Sequence, residues 1–80
     1  MRYYGDERRN LIMKISARNT IPGVIVEIQK GATTAHVRID VGGTIVTASI
    51  TNESVDELKL KVGEKAFAVI KASDVMVGLD

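Results

Sequence analysis

The chain has 80 residues, of which 45% are hydrophobic and 26% are charged, and its 11 basic and 10 acidic side chains leave a formal net charge of +1. This length excludes two folded domains, because chains rarely divide into domains below roughly 100 residues. The near-neutral charge lacks the basic excess of a domain that follows nucleic acid through many phosphate contacts. The absence of cysteine excludes disulfides, thiol catalysis and thiolate metal sites.

The small size of the chain predicts an oligomer. A domain of this length buries only about 60% of the surface that its unfolded chain exposes, so its own core leaves it marginally stable. Small domains gain stability from disulfides, a structural metal or oligomerisation, and this chain has no cysteine and a single histidine, His36. We therefore expect a homo-oligomer. The sequence contains no run of about 18 apolar residues and no signal peptide, so we also expect a cytoplasmic protein that does not enter a membrane.

The N-terminus differs from the rest of the chain. Residues 1–12 are polar and charged without periodicity, and Met13 offers a second possible start where a patterned sequence begins. We interpret residues 1–12 as a disordered or non-native extension, with a short interaction arm as the alternative. Residues 13–80 then form the folded domain.

In the first half of this domain polar and apolar residues alternate with a period of two, which is typical of strands. Residues 14–18 predict a first strand with a polar, cationic face, and Ile21-Pro22-Gly23 predicts a break before a second strand at residues 24–30. The segment from Thr34 to Val41 alternates most regularly. Its predicted inward side chains are Ala35, Val37, Ile39 and Val41.

Turn signals and a change of period organise the second half. Gly42-Gly43 predicts a two-residue hairpin that leads into a strand from Thr44 to Ile50. Between Thr51 and Gly63 the spacing becomes helical, with Val55, Leu58 and Val62 on one side, Ser54 and Glu57 as a capping box, and Gly63 as the stop. Two final strands are expected at Ala66–Lys71 and Val75–Leu79.

Five or six short strands with one helix before the last pair is the element order of a small, partly open Greek-key barrel of the oligonucleotide/oligosaccharide-binding (OB) type. The sequence therefore predicts an all-β fold, a five-stranded OB-like Greek-key barrel with one short helix. An SH3-like barrel fits the strand count nearly as well, and the pattern does not decide between them.

No group of residues predicts an enzyme or a metal-cation site. His36 stands alone on an outward strand face, where a solvated or interface histidine is the simplest interpretation. Gly42-Gly43 lacks the spacing of a phosphate-binding fingerprint. The acidic side chains on and after the predicted helix are interpreted as a solvated face: Glu53, Asp56, Glu57 and Glu64.

Three segments at predicted strand ends are rich in hydrogen-bond donors and contain no carboxylate: residues 16–19, 31–35 and 71–73. A tetrahedral oxyanion that is a dianion at neutral pH presents only acceptor oxygens, so its site needs N–H groups, hydroxyls and one or two cations. These segments meet that requirement, although serine and threonine are also common at strand ends that bind nothing.

Two of these segments carry a family resemblance. Ser16-Ala17-Arg18-Asn19 near the start and Lys71-Ala72-Ser73-Asp74-Val75-Met76 near the end, with Ser54-Val55, Glu57-Leu58 and Val62-Gly63 between them, resemble the molbindin family over Lys14 to Leu79. The resemblance implies single molybdenum-binding domains with an OB-like barrel, related to domains of molybdate-responsive regulators and molybdate-transporter ATPases. It implies hexamers, trimers of dimers, that bind molybdate or tungstate at subunit interfaces without an organic cofactor.

The resemblance also implies site residues. The oxyanion would be bound by Ser16 and Arg18, by Thr34 and nearby backbone from a neighbouring subunit, and by Lys71 as the direct cation. The full implied set is Ser16, Arg18, Ala32, Thr34, Ala35, Lys71, Ala72 and Ser73, with a possible second site at Asn19, Gly31 and Thr33. Ala32 and Ile21-Pro22 depart from the residues commoner in the family.

The implied function is intracellular molybdenum storage and homeostasis, and two alternatives remain. A molybdate-sensing interaction module would have the same fold and site. A barrel that binds single-stranded nucleic acid would need exposed aromatic platforms beside a basic groove, and the only aromatic residues are Tyr3, Tyr4 and Phe67.

Overall fold

The computed structural model describes residues 17–80, which form one antiparallel sheet with a helix packed beside it. The elements in chain order are β1 (Asn19–Lys30), β2 (Thr34–Asp40), β3 (Ile45–Thr51), α1 (Asn52–Leu58), β4 (Lys65–Ile70) and a 3-10 helix (Ala72–Asp74). The strand order is β3-β2-β1-β4. The predicted all-β fold with one short helix is confirmed, with four strands rather than five in residues 17–80.

Strand β1 is continuous through Pro22 and Gly23, so the predicted break there is wrong. The first half of β1 pairs with β4, the second half pairs with β2, and Val24 pairs with both. Pro22 is accommodated because it lies opposite Phe67 of β4 and has no strand from residues 17–80 on its other side. An added Cβ at Gly23 would lie 2.5 Å from the carbonyl oxygen of Asp40, so only glycine allows β1 and β2 to approach this closely.

A β-bulge in β1 changes which side chains face the core. The pairing with β2 skips Val26, between Ile25 and Glu27. Ile25 is 1% exposed, whereas Val24 and Val26 on either side of it are 39% and 43% exposed. A bulge shifts the alternation by one residue, so Ile28 beyond it again packs against the core.

Strand β2 and its turn follow the sequence pattern. Ala35, Val37 and Ile39 are buried in the core, and Val41 packs against it, as predicted. Both turn glycines have positive φ, 89° at Gly42 and 100° at Gly43, which is the conformation that a two-residue hairpin turn requires. The predicted hairpin is therefore confirmed.

Helix α1 is shorter than predicted and begins at a different cap. The Oγ1 atom of Thr51 accepts the backbone N–H of Ser54 at 3.0 Å, so Thr51 is the N-cap and the predicted capping box at Ser54 and Glu57 is wrong. The helix ends at Leu58, before a left-handed Lys59 with φ 54°, and Gly63 lies in the turn before β4 instead of ending the helix.

The predicted apolar side of the helix is mostly outside the core. Val55 is buried in the core cluster. Leu58, the last residue of the helix, is exposed, and Val62 is exposed because the helix has ended before this i+7 position can return to the core. Only the first member of the predicted apolar stripe therefore packs inward.

The predicted last strand, Val75–Leu79, is wrong for a single chain. This segment follows the 3-10 helix and pairs with no strand among residues 17–80. Met76, Val77 and Leu79 are 92%, 92% and 98% exposed. Strand formation requires a partner edge, and no edge within residues 17–80 lies beside this segment.

Two predicted features at the N-terminus lie wholly or partly outside the described residues. They are the extension at residues 1–12 and positions 14–16 of the predicted first strand. Ala17 and Arg18 precede β1 without strand structure. No helix within residues 17–80 is long and apolar enough to span a membrane.

Candidate oxyanion site

The hairpin between β1 and β2 brings five of the predicted site residues together. The backbone N–H of Gly31 donates to the carbonyl oxygen of Thr34 at 2.7 Å, which closes a loop with Ala32 and Thr33 at its tip. Ala32, Thr33 and Thr34 are exposed, whereas the side chain of Ala35 is buried. Ala35 can therefore contribute only backbone to a site here.

A groove of about 370 Å³ runs along this hairpin and is lined by Gln29, Lys30, Gly31, Thr34 and His36. Its side chains offer an amide, an ammonium group, a hydroxyl and an imidazole, and no carboxylate lines it. This is the donor composition that an acceptor-only dianion requires.

Sequence reasoning missed Gln29 and Lys30 and interpreted His36 as solvated or at an interface. Gln29 and His36 face each other in the β1–β2 register, and Lys30 faces Ala35. The bulge at Val26 sets this register, so no pattern within a single strand reveals the groove. Pairing the residues of β1 and β2 outward from the hairpin loop, beginning with Lys30 and Ala35, would have identified these neighbours.

Lys30 also forms an ion pair with helix α1. Its Nζ lies 2.6 Å from Oδ1 of Asp56, and both side chains are about half exposed or more. Exposed ion pairs contribute about 0–1 kcal/mol, because water competes for both charges. Breaking this ion pair would therefore cost little stability.

A second cluster of predicted site residues lies at the other end of β1. Asn19 pairs with Ile70, the last residue of β4, and its Nδ2 donates to the Ile70 carbonyl oxygen at 3.1 Å. Lys71 follows directly, with Ala72 and Ser73 in the 3-10 helix. Arg18 precedes Asn19, and Ser16 lies outside the described residues.

Strand β1 separates the two clusters. Its 12 residues correspond to about 36 Å of strand length at about 3.3 Å per residue. None of the residues that line the groove belongs to the second cluster. A bound oxyanion contacts donors at about 3 Å, so in a single chain the two clusters cannot contact one anion.

A metal-cation site is not formed by the described part of the chain. Within residues 17–80, no three His, Asp or Glu side chains approach closely enough to hold a cation. The four acidic residues on and after α1 are all exposed, as the sequence predicted.

The chain matches a known protein family over most of its length. Residues 15–77 match the TOBE domain, and this segment includes both clusters. The chain belongs to the TOBE domain family. This TOBE domain is 46% identical over 69 residues to a probable molybdenum-pterin-binding protein of Haemophilus influenzae, a match that covers 85% of the chain and 100% of that protein.

Two solved structures share the fold of this TOBE domain. A molybdate-binding protein from Sporomusa ovata is 40% identical, with a TM-score of 0.80, over 84% of this chain and 100% of that chain. The cytoplasmic molybdate-binding protein ModG, solved with molybdate bound, is 45% identical with a TM-score of 0.79, over 85% of this chain and 49% of that chain. The resemblance to the molbindin family is thereby confirmed.

Proposed function

We propose that this TOBE domain binds molybdate or tungstate reversibly and serves intracellular molybdenum storage and homeostasis, without catalysing a reaction. The observation that carries the proposal is the groove at the β1–β2 hairpin, which is lined by donors and by no carboxylate. Relatives that are 40–46% identical and named for binding molybdenum-pterin or molybdate support it. A cytoplasmic location is proposed because ModG is described as cytoplasmic.

Each donor type has a role in binding the dianion. Thr34 offers a hydroxyl, the hairpin loop offers backbone N–H groups, and Lys30 and Lys71 offer positive charge. Hydrogen bonds between charged partners contribute roughly twice as much as neutral ones. Sulfate is also a tetrahedral dianion with the same acceptors, so discrimination against it depends on cavity size, and tungstate, nearly the size of molybdate, competes fully.

The complete site forms between subunits of a homo-oligomer, which we propose to be a hexamer built as a trimer of dimers. The separation of the two clusters along β1 supports this arrangement. Two copies can bring the β1–β2 hairpin of one chain to the second cluster, which contains Lys71 and which we call the Lys71 cluster, of the other chain. Ser16 joins the Lys71 cluster in this proposal. Asn19, Gly31 and Thr33 contribute a possible second site.

The C-terminal segment supports an oligomer independently of the site. This segment has apolar residues at every second position, at Val75, Val77 and Leu79, as a strand would. It nevertheless has no strand partner among residues 17–80. The outer edges of β3 and β4 also carry no strand in this part of the chain. Unpaired edges and exposed apolar strands favour pairing with another copy.

Binding and assembly are linked in this proposal. A ligand that binds only the assembled interface stabilises the oligomer by mass action, so its stability rises with free molybdate. A sensing module would show the same linkage. Retention of molybdate through purification without a partner protein favours storage over sensing.

The test is isothermal titration of the anion-stripped protein with molybdate and then with sulfate, with the mass followed by light scattering. We expect saturable molybdate binding and weak sulfate binding on an oligomer. Lys71→Ala should weaken binding, whereas the matched control Lys61→Ala, which removes the same charge outside both clusters, should not. A folded oligomer that shows no saturable molybdate binding contradicts the proposal.

A further inference from the structure

Asn52, the first residue of α1, holds the loop of the β1–β2 hairpin. Its Nδ2 donates to the carbonyl oxygens of Gly31 at 2.9 Å and Ala32 at 3.4 Å. Its backbone N–H donates to the carbonyl oxygen of Thr33 at 2.9 Å. Three successive carbonyl groups of the loop therefore point to one residue.

These carbonyl directions determine where the N–H groups of the loop point. In a planar trans peptide the carbonyl and the following N–H point in opposite directions, and residues 17–80 contain no cis peptide. The N–H groups of Ala32, Thr33 and Thr34 therefore point away from Asn52. Those of Ala32 and Thr33 have no acceptor among the described residues, and all three residues are exposed.

We propose that Asn52 is a positioning residue of the oxyanion site, because it keeps the consecutive N–H groups of Ala32 and Thr33 directed outward for an acceptor-only dianion. This inference rests on the proposed function. Asn52 does not line the groove, so it acts through the loop backbone. Donors that are already in place bind an anion without the cost of ordering the loop.

The amide of Asn52 acts through its donors alone. Its Oδ1 is buried and has no hydrogen-bond partner within the described residues. Aspartate has nearly the same shape but only acceptor oxygens, which would face the carbonyl oxygens of Gly31 and Ala32. Asn52→Asp therefore removes the donors while preserving the volume of the side chain.

Two variants and one control test the inference. Asn52→Ala removes both side-chain bonds. Asn52→Asp removes them in a protein that keeps α1, because a carboxylate in the first turn of a helix is favourable. The control Ser54→Gly weakens the same helix and leaves all three bonds to the loop. Each protein is titrated with molybdate by calorimetry, its Tm is measured, and the amide signals of residues 32–34 are followed by NMR.

In the parent, molybdate should shift the amide signals of residues 32–34. Both Asn52 variants should bind molybdate about tenfold more weakly or worse, because the loop must then be ordered on binding. Ser54→Gly should stay within about twofold of the parent, since a weakened helix alone leaves the donors in place.

A folded Asn52→Asp protein that binds like the parent overturns the inference. An equal loss of affinity in Ser54→Gly also overturns it, because the effect would then follow helix stability. A parent that takes up no molybdate refutes the proposed function itself, so the two failures are distinguishable.

Discussion

Thr34 and Lys71 lie at opposite ends of β1, so one anion can contact both only when two copies of the chain supply them. This arrangement makes a complementation experiment decisive. Thr34→Asp places a carboxylate beside the dianion, and Lys71→Ala removes a cation. Losing a hydrogen bond to a charged group costs about 1.5–3 kcal/mol, which corresponds to roughly 10- to 150-fold in affinity.

Mixed oligomers of the two variants should regain part of the binding. If each site takes Thr34 from one copy and Lys71 from another, random assembly of equal amounts leaves both residues intact in about one quarter of the sites. If both residues came from the same chain, the mixture would contain no intact site. The oligomers are formed by co-expression, and bound molybdenum is measured by equilibrium dialysis.

A second mixture is the control. When the parent is mixed equally with the double variant Thr34→Asp/Lys71→Ala, a site shared between two copies is intact in about one quarter of cases, whereas a site within one chain is intact in about one half. No binding in the first mixture together with half-maximal binding in the second would refute the shared site.

Two further predictions concern the fold and the assembly. Gly23→Ala should lower the free energy of unfolding by about 1–3 kcal/mol, because its Cβ would lie 2.5 Å from a backbone oxygen that cannot move away easily. Gly78→Ala, where an added Cβ meets nothing within 4 Å, should stay within about 0.5 kcal/mol. Urea unfolding at one protein concentration measures both, and equal midpoints would contradict the close approach of β1 and β2. Val77→Lys should reduce the oligomer mass in light scattering, because Val77 would share a face with Val75 and Leu79 in a strand paired with another copy. Met76→Lys, equally exposed on the opposite face, should leave the mass unchanged, and the same loss in both variants would argue against pairing as a strand.

Part of the candidate site was accessible from the sequence and part was not. The donor-rich segments 31–35 and 71–73 were identified because short polar residues at strand ends are visible as a local composition. Lys30 and Asn52 were not assigned to the candidate site, because their hydrogen-bond partners lie 26 and 21 residues away in the sequence. Lys30 contacts Asp56, and Asn52 contacts Gly31.

The sequence by itself determined the all-β class, the buried face of β2 and the Gly42-Gly43 hairpin. Each of these follows from a period or a turn residue that acts over a few positions. Only the tertiary structure decided that β1 runs through Pro22 and Gly23, because a proline is tolerated where a strand has a single neighbour and a glycine where a second strand comes close. Within residues 17–80 the tertiary structure also left Val75–Leu79 without a strand partner, because a strand needs the edge of a neighbouring strand as well as its own alternation.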